Sequence, residues 1–266
     1  MAININKFMR KGRSMILAYD QGLEHGPSDF NEKNIDPEYI LDIALEGNYT
    51  GVILHNGIAE KYYYGPYREI PLILKINGKT NLTNINPISR KLCSVERAIK
   101  LGASAIGYTI YDGSPEEPNI FKEFGDIVEQ AHDYGIPVFA WMYPRGPTIK
   151  DDLDTHILAY SARVGLELGA DVIKIKYNHK PEEFKWVVKS AGRAKIVIAG
   201  GEKVCDSEFL HMAEEIMSTG AMGIAVGRNI WQHEKPFTIT KALRKIIIDQ
   251  KTAIEAKKII DEYKNY

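Results

Sequence analysis

The chain is short of several things, and each shortage removes a class of function. Lysine and arginine number 34 against 35 aspartates and glutamates, so there is no basic excess of the kind that neutralises nucleic-acid phosphates. Hydrophobic residues make up 44% and charged residues 26% of the 266, which excludes a disordered chain. No apolar run approaches the roughly 20 residues that span a bilayer. The segment Met1 to Arg13 is too polar for a signal-peptide core, and the apolar stretch from Met15 to Ala18 runs at once into Tyr19-Asp20. The only two cysteines, Cys93 and Cys205, lie far apart and outside any CxxC, so no disulfide framework is expected and a cytoplasmic location is. The seven histidines form no HExxH or other close ligand pair, and the acids form no calcium loop, so no metal site is expected.

What the chain does have is alternation. Strand-like runs occur at Met15–Tyr19, Val52–His55, Leu72–Ile76, Ala105–Ile110, Val138–Tyr143, Val172–Tyr177, Lys195–Ala199 and Gly223–Val226. Amphipathic helical patterns occur between and after them, at Pro37–Glu46, Ile58–Tyr64, Ser94–Leu101, Ile120–Tyr134, Asp154–Leu168, Pro181–Ala191, Asp206–Thr219, Phe237–Ile248 and Ile254–Tyr263. The spacing of about 33 residues per unit is that of a βα repeat. Three helix ends carry the same signature, Leu101-Gly-Ala, Leu168-Gly-Ala and Thr219-Gly-Ala, a glycine C-cap followed at once by a strand. No linker divides the chain, and no dinucleotide glycine fingerprint follows the first strand. The expectation is an α/β protein, a single (β/α)8 TIM barrel over residues 1–266, rather than a doubly wound sheet. Gly22–Pro37 reads as a long polar loop, and Gly65–Ser89 as loops around one strand. The final helix either closes the barrel floor or meets another subunit.

Barrel strands are apolar on both faces, so polar residues within them call for a reason. In Val172-Ile-Lys-Ile-Lys-Tyr177 the period of two places Lys174 and Lys176 on one face and the isoleucines on the other. If the isoleucines meet helices, both lysines enter the barrel. A buried ammonium beside a second cation loses its proton readily and becomes a carbonyl nucleophile, unless a carboxylate pairs with it. Asp20 ends the first strand, where barrels carry catalytic groups; it either handles charge and protons or caps the following loop. Trp141 and Tyr143 share a face of the fifth strand. A tyrosine beside a cationic lysine becomes more acidic and can trade protons with a substrate; packing is the alternative for both residues. Arg145 follows, placed to bind a phosphate bidentately. His25, on the first loop, is either an anion contact or solvated. Glycine turns after strands seven and eight, Gly200-Gly201 and Gly227 with Arg228, stand where barrels bind phosphate. Lys75 and Lys79 read as rim charges or substrate contacts, and Tyr62-Tyr-Tyr64 as packing or an interface.

Taken together, Ile16-Leu-Ala-Tyr-Asp20, Gly22-Leu-Glu-His-Gly-Pro27, Gly57-Ile-Ala-Glu-Lys-Tyr62, Gly107-Tyr-Thr-Ile-Tyr111, Trp141-Met-Tyr-Pro-Arg-Gly146, Lys174-Ile-Lys-Tyr177 and Val226-Gly-Arg-Asn229 resemble the archaeal-type class I fructose-1,6-bisphosphate aldolases, grouped with the deoxyribose-phosphate aldolase-like barrels. The resemblance covers nearly the whole chain. It implies Lys174 as the Schiff-base lysine, Lys176 as the auxiliary cation, Tyr143 as the proton-transfer residue, and Asp20 as the active-site carboxylate beside Trp141. It implies Gly200, Gly201, Gly227 and Arg228 for the ketose phosphate, and Arg145 and His25 for the distal phosphate. The implied reaction is metal- and cofactor-free interconversion of fructose 1,6-bisphosphate with dihydroxyacetone phosphate and glyceraldehyde 3-phosphate, in glycolysis and gluconeogenesis. The alternative is a transaldolase making 6-deoxy-5-ketofructose 1-phosphate or a seven-carbon amino-sugar acid for aromatic amino-acid synthesis. A non-catalytic phosphosugar-binding barrel is the third reading. The implied partners are a small phosphorylated sugar and further copies of the chain in a homo-oligomer, often a decamer, with neither nucleic acid nor membrane. Two departures stand out. Gln21 occupies a position that is histidine in many relatives, and Glu202-Lys203 follows the double glycine where relatives often carry Pro-Lys or a small residue; Glu202 is expected to point away from the phosphate.

Overall fold

A computed structural model describes residues 3–83 and 86–262. Eight parallel strands close into a barrel: β1 (Ser14–Ala18), β2 (Gly51–His55), β3 (Leu72–Lys75), β4 (Ala103–Ile110), β5 (Val138–Met142), β6 (Val172–Ile175), β7 (Lys195–Ala199) and β8 (Gly223–Val226), with β8 pairing back onto β1. Helices α1 (Pro37–Glu46), α2 (Asn56–Tyr62), α3 (Val95–Lys100), α4 (Glu117–Asp133), α5 (Thr155–Glu167), α6 (Pro181–Ser190), α7 (Asp206–Ser218) and α8 (Pro236–Ile247) follow the strands in turn, and α9 (Ala253–Glu262) comes last. The expected (β/α)8 barrel is the observed one.

The period of two sorts the strands into two cores. Ile16, Ile53, Ile73, Ala105, Phe139, Val172, Val197 and Ala225 point inward and fill the barrel. Their neighbours Leu17, Leu54, Leu74, Ile106, Ala140, Ile173, Ile198 and Ile224 point outward into the layer shared with the helices. Helices α1, α3 and α5 start where a side chain takes up free N–H groups: Asp36 accepts from Glu38 N, Ser94 from Arg97 N, and Asp154 from His156 N and Ile157 N. Helices α3, α5 and α7 run out at Gly102, Gly169 and Gly220, all with φ near +90°, so the repeated Gly-Ala signature is a left-handed cap.

Some boundaries differ from the sequence reading. Strand β6 ends at Ile175, two residues earlier than expected, and β5 at Met142. The loop after β1 contains a helical turn at Gly22–His25 and a 3-10 turn at Gly26–Asp29. Asn77–Gly78 and Arg90–Lys91 form a small antiparallel ribbon, tied to β4 because the Asn77 amide bonds both the N–H and the carbonyl of Thr109. The barrel floor is covered not by the final helix but by Phe8, which packs edge-on against Phe139 at 5.1 Å. Helix α9 lies outside, burying Ala256 and Ile260 against α7 and α8. Among the described residues no helix is long and apolar enough to cross a membrane.

Candidate active site

The carboxyl ends of the strands surround a cavity of about 570 Å³. Asp20, Lys75, Trp141, Tyr143 and Lys174 line it, together with Gly200, Gly201, Gly227, Arg228, Arg145, His25 and Lys176, so every site residue expected from the sequence faces one space.

Lys174 is inward because Val172 is inward and Ile173 and Ile175 are outward. It is only 7% exposed. Its Nζ lies over the Trp141 ring, 5.1 Å from the centroid, and Lys75 Nζ approaches the same ring at 5.9 Å. The ring reaches between the two lysines by crossing Gly107, where a Cβ would stand 2.4 Å from Trp141 Cη2. Burial lowers the Lys174 amine to about 8; Lys75 adds to the fall, while Asp20 opposes it.

Asp20 sits just past β1 and pairs with Lys75 at 3.0 Å, both side chains nearly enclosed. Burial works against its charge, but Lys75, Lys174 and His55 outweigh that and hold the carboxyl far below the usual range. His55, at the end of β2, is taken to about 4 by burial and then by Lys75, so its ring is neutral at pH 7. Its Nδ1 lies 3.2 Å from the Lys75 carbonyl oxygen, an acceptor, so Nδ1 carries the proton.

Three expectations need correction. Lys176 is not the cation beside Lys174. The strand stops at Ile175, the alternation lapses, and Lys176 turns to a half-exposed ion pair with Asp152. Lys75 takes that place, and it is a buried strand residue, not a rim charge. Tyr143 is not acidified: burial, then Asp20, Tyr111 and Glu24, push its phenol well above the ordinary value, against a smaller pull from Arg145. Lys79 does stand at the rim, 3.2 Å from Glu24.

Two poles flank this centre. At one, Gly200, Gly201 (φ +69°) and Gly227 bring backbone close to the cavity beside Arg228, whose Nη2 is 3.4 Å from Gly201 O. Asn229 staples the pole together: its Nδ2 donates to Gly200 O (2.8 Å) and Glu202 O (2.7 Å), and its Oδ1 accepts from Val204 N (2.9 Å). Gly227 admits no side chain, since a Cβ would lie 2.9 Å from Ala18 O, itself bonded by Trp231 Nε1. Glu202 is exposed and also lines the cavity. At the other pole Arg145 lies 3.8 Å from Glu24, and His25 is held by Asp29 at 2.6 Å. Tyr63 is buried and its hydroxyl donates to Ile70 O, while Tyr64 is exposed and its hydroxyl donates to Glu38.

His55, Glu24 and Asn229 join the site with nothing in the sequence that singles them out, whereas Lys75, read there as a rim charge or a substrate contact, lines the cavity. Among the described residues there is no group of three or more metal-ligand side chains.

Residues 14–233 match the family model described as DeoC/LacD family aldolase. A curated class 1 fructose-bisphosphate aldolase from Thermoproteus tenax is 47% identical over 251 residues, covering 93% of this chain and 94% of the relative. A Methanocaldococcus jannaschii protein named fructose-bisphosphate aldolase/6-deoxy-5-ketofructose 1-phosphate synthase is 37% identical, covering 94% and 86%. The structure of an archaeal fructose-1,6-bisphosphate aldolase with its catalytic lysine bound to the carbinolamine intermediate superposes with a TM-score of 0.89 at 46% identity, covering 92% of this chain and 97% of that one. The chain belongs to the DeoC/LacD family of aldolases, within its class I fructose-bisphosphate aldolases.

Proposed function

We propose that this chain cleaves and forms fructose 1,6-bisphosphate through a Schiff base on Lys174. The observation that carries the reading is a buried amine with a pKa near 8, over Trp141 and within the field of the Asp20–Lys75 pair. At pH 7 such an amine is neutral in roughly one molecule in ten, against about one in 3,000 for an ordinary lysine.

The neutral amine adds to the ketose carbonyl carbon. The adduct loses its hydroxyl as water, giving an iminium. Tyr143, protonated because its environment disfavours phenolate, supplies the proton for that water. The phenolate so formed takes the proton of the hydroxyl next to the breaking carbon–carbon bond, whose electrons flow into the iminium. The resulting enamine is reprotonated at carbon, and hydrolysis frees the ketose phosphate from Lys174. Asp20, ionised throughout, keeps Lys75 in place and balances the cation that forms on Lys174. The glycine turns and Arg228 take the phosphate next to the ketone. Arg145, with His25 near it, takes the distal one. These contacts place the reacting carbon over Lys174.

Borohydride reduction in the presence of dihydroxyacetone phosphate should add one ketose phosphate to Lys174; an unlabelled Lys174 peptide refutes the reading. The M. jannaschii relative carries two names, so methylglyoxal is offered as acceptor beside the cleavage assay; transfer outrunning cleavage would move the physiological role to the transaldolase. Exposed aromatic side chains on adjacent helices, Tyr160 of α5 and Trp186 of α6, support a homo-oligomer, which light scattering tests.

A further inference from the structure

Asp112, just past β4, is a buried carboxyl that the reaction does not use. It is 5% exposed. Its Oδ2 accepts a hydrogen bond from Ser161 Oγ of α5, and its Oδ1 is buried without a partner. Burial lifts it to about 6, and Glu117 at the start of α4 adds to the rise; the Ser161 hydroxyl and the residue's own N–H oppose it. Among the described residues the charge that bears on it is therefore another carboxylate. Glu117 is itself engaged by Gly113 N at 2.7 Å. Arg145, the nearest cation along the β5 loop, turns its guanidinium over Tyr111 (5.4 Å) and Tyr143 (6.0 Å) towards Glu24.

The backbone around Asp112 carries the site. Arg145 N donates to Asp112 O (3.0 Å), and Tyr143 N donates to Ile110 O (3.0 Å). Gly146 packs so tightly on this segment that a Cβ there would lie 1.6 Å from Gly113 O. Residues 110–114 and 143–146 are in direct backbone contact, with no side chain between to absorb a shift. A displacement of Asp112 reaches Arg145 and Tyr143.

We propose that Asp112, anchored by Ser161, is a positioning residue for Arg145 and Tyr143, and that its protonation loosens the distal end of the cavity. This rests on the proposed assignment of Arg145 to the distal phosphate. Above about pH 6 the charged carboxylate accepts a charge-assisted bond from Ser161 and the segment is pinned. Below it, the neutral carboxyl accepts from Ser161 more weakly, because the bond is no longer charge-assisted. Stability runs the other way. A carboxyl raised from 3.8 to about 6 adds to stability while protonated, fully below the unfolded value, and loses that contribution as pH rises through the folded one. The fold tolerates a charge that weakens it, as functional groups often require.

The test compares KM and kcat for fructose 1,6-bisphosphate and fructose 1-phosphate in wild type, Asp112→Asn and Ser161→Ala between about pH 5 and 8. Substrate phosphates titrate near pH 6 themselves, so the quantity read is the ratio of wild type to Asp112→Asn. For the bisphosphate that KM ratio should rise roughly fivefold by about pH 5, a typical coupling between sites. For fructose 1-phosphate, which lacks the distal phosphate, it should stay flat. Ser161→Ala should move the limb to higher pH. Asp112→Asn should raise Tm above about pH 6 but not below about pH 4. A flat ratio for the bisphosphate, or the same slope for both substrates, overturns the inference. Borohydride trapping on the same proteins separates the failures: no Lys174 adduct in wild type overturns the aldolase reading, whereas an adduct with a flat ratio overturns this one alone.

Discussion

Lys75→Met is the sharpest probe of the electrostatic argument. Methionine keeps the apolar stem and removes the charge that stands 3.0 Å from Asp20. Removing one partner of a buried pair costs roughly 3–5 kcal/mol, less here to the extent that Lys174 takes over Asp20. The consequence for reactivity is separate. Lys174 is held near 8 by burial and by Lys75, against the pull of Asp20. Without Lys75 the repulsion goes, and the Asp20 charge is directed at Lys174 alone. Burial, the largest cause, remains, so the amine should recover only part of the way to its ordinary 10.5. A rise of about one pH unit leaves about tenfold less neutral amine at pH 7. The assay is the pH profile of kcat/KM, which reports ionisations of the free enzyme. The alkaline-rising limb should move from near pH 8 to higher pH, and the two rates should converge where both amines are neutral. Urea denaturation of the same variant checks that the fold survives. A limb left near pH 8, or moved to lower pH, would refute the proposition that Lys75 acts on Lys174 through its charge.

Three further outcomes follow from the geometry. Tyr143→Phe removes the phenolic proton without emptying the space, so kcat should fall by about 10²–10⁴ with little change in KM, and the borohydride adduct on Lys174 should form more slowly than in wild type; a kcat within a few-fold of wild type would remove Tyr143 from proton transfer. Asn229→Ala unties three hydrogen bonds across the β7 and β8 loops, at about 1–3 kcal/mol for each buried group left unpaired, and should raise the Kd for inorganic phosphate measured by calorimetry; unchanged affinity would place the phosphate elsewhere. Gly107→Ala drives a methyl into Trp141 and should cost about 1–3 kcal/mol in denaturant unfolding, with Trp fluorescence shifted because the ring must move; a neutral effect on both would mean the ring is not wedged there.

The site was partly legible because one of its devices, strand alternation, is local. Lys174 was assigned inward from the isoleucines around it, and the structure keeps that phase through Ile175. Val52-Ile-Leu-His55 and Leu72-Ile-Leu-Lys75 are apolar on both faces, so only the packing of Ile53 and Ile73 inside the barrel places His55 and Lys75 inward. Lys176 is different. The alternation predicts it inward, and only the end of the ladder at Ile175, set by pairing with β7, releases it to Asp152. Tyr143 is different again, because its phenol answers to Asp20, Tyr111 and Glu24, which belong to other strands and loops.

The sequence by itself determined the repeating βα order, the glycine caps that end three of the helices, and the face that Lys174 shares with Val172. All three follow from backbone geometry over a few residues, where the chain is its own context. Only the tertiary structure decided which charges meet. Asp20 and Lys75 are separated by 55 positions in the chain, and Lys174 by a further 99; barrel closure brings them around one tryptophan. Coulomb interactions and burial depend on distance and exclusion of water, neither of which a local pattern contains.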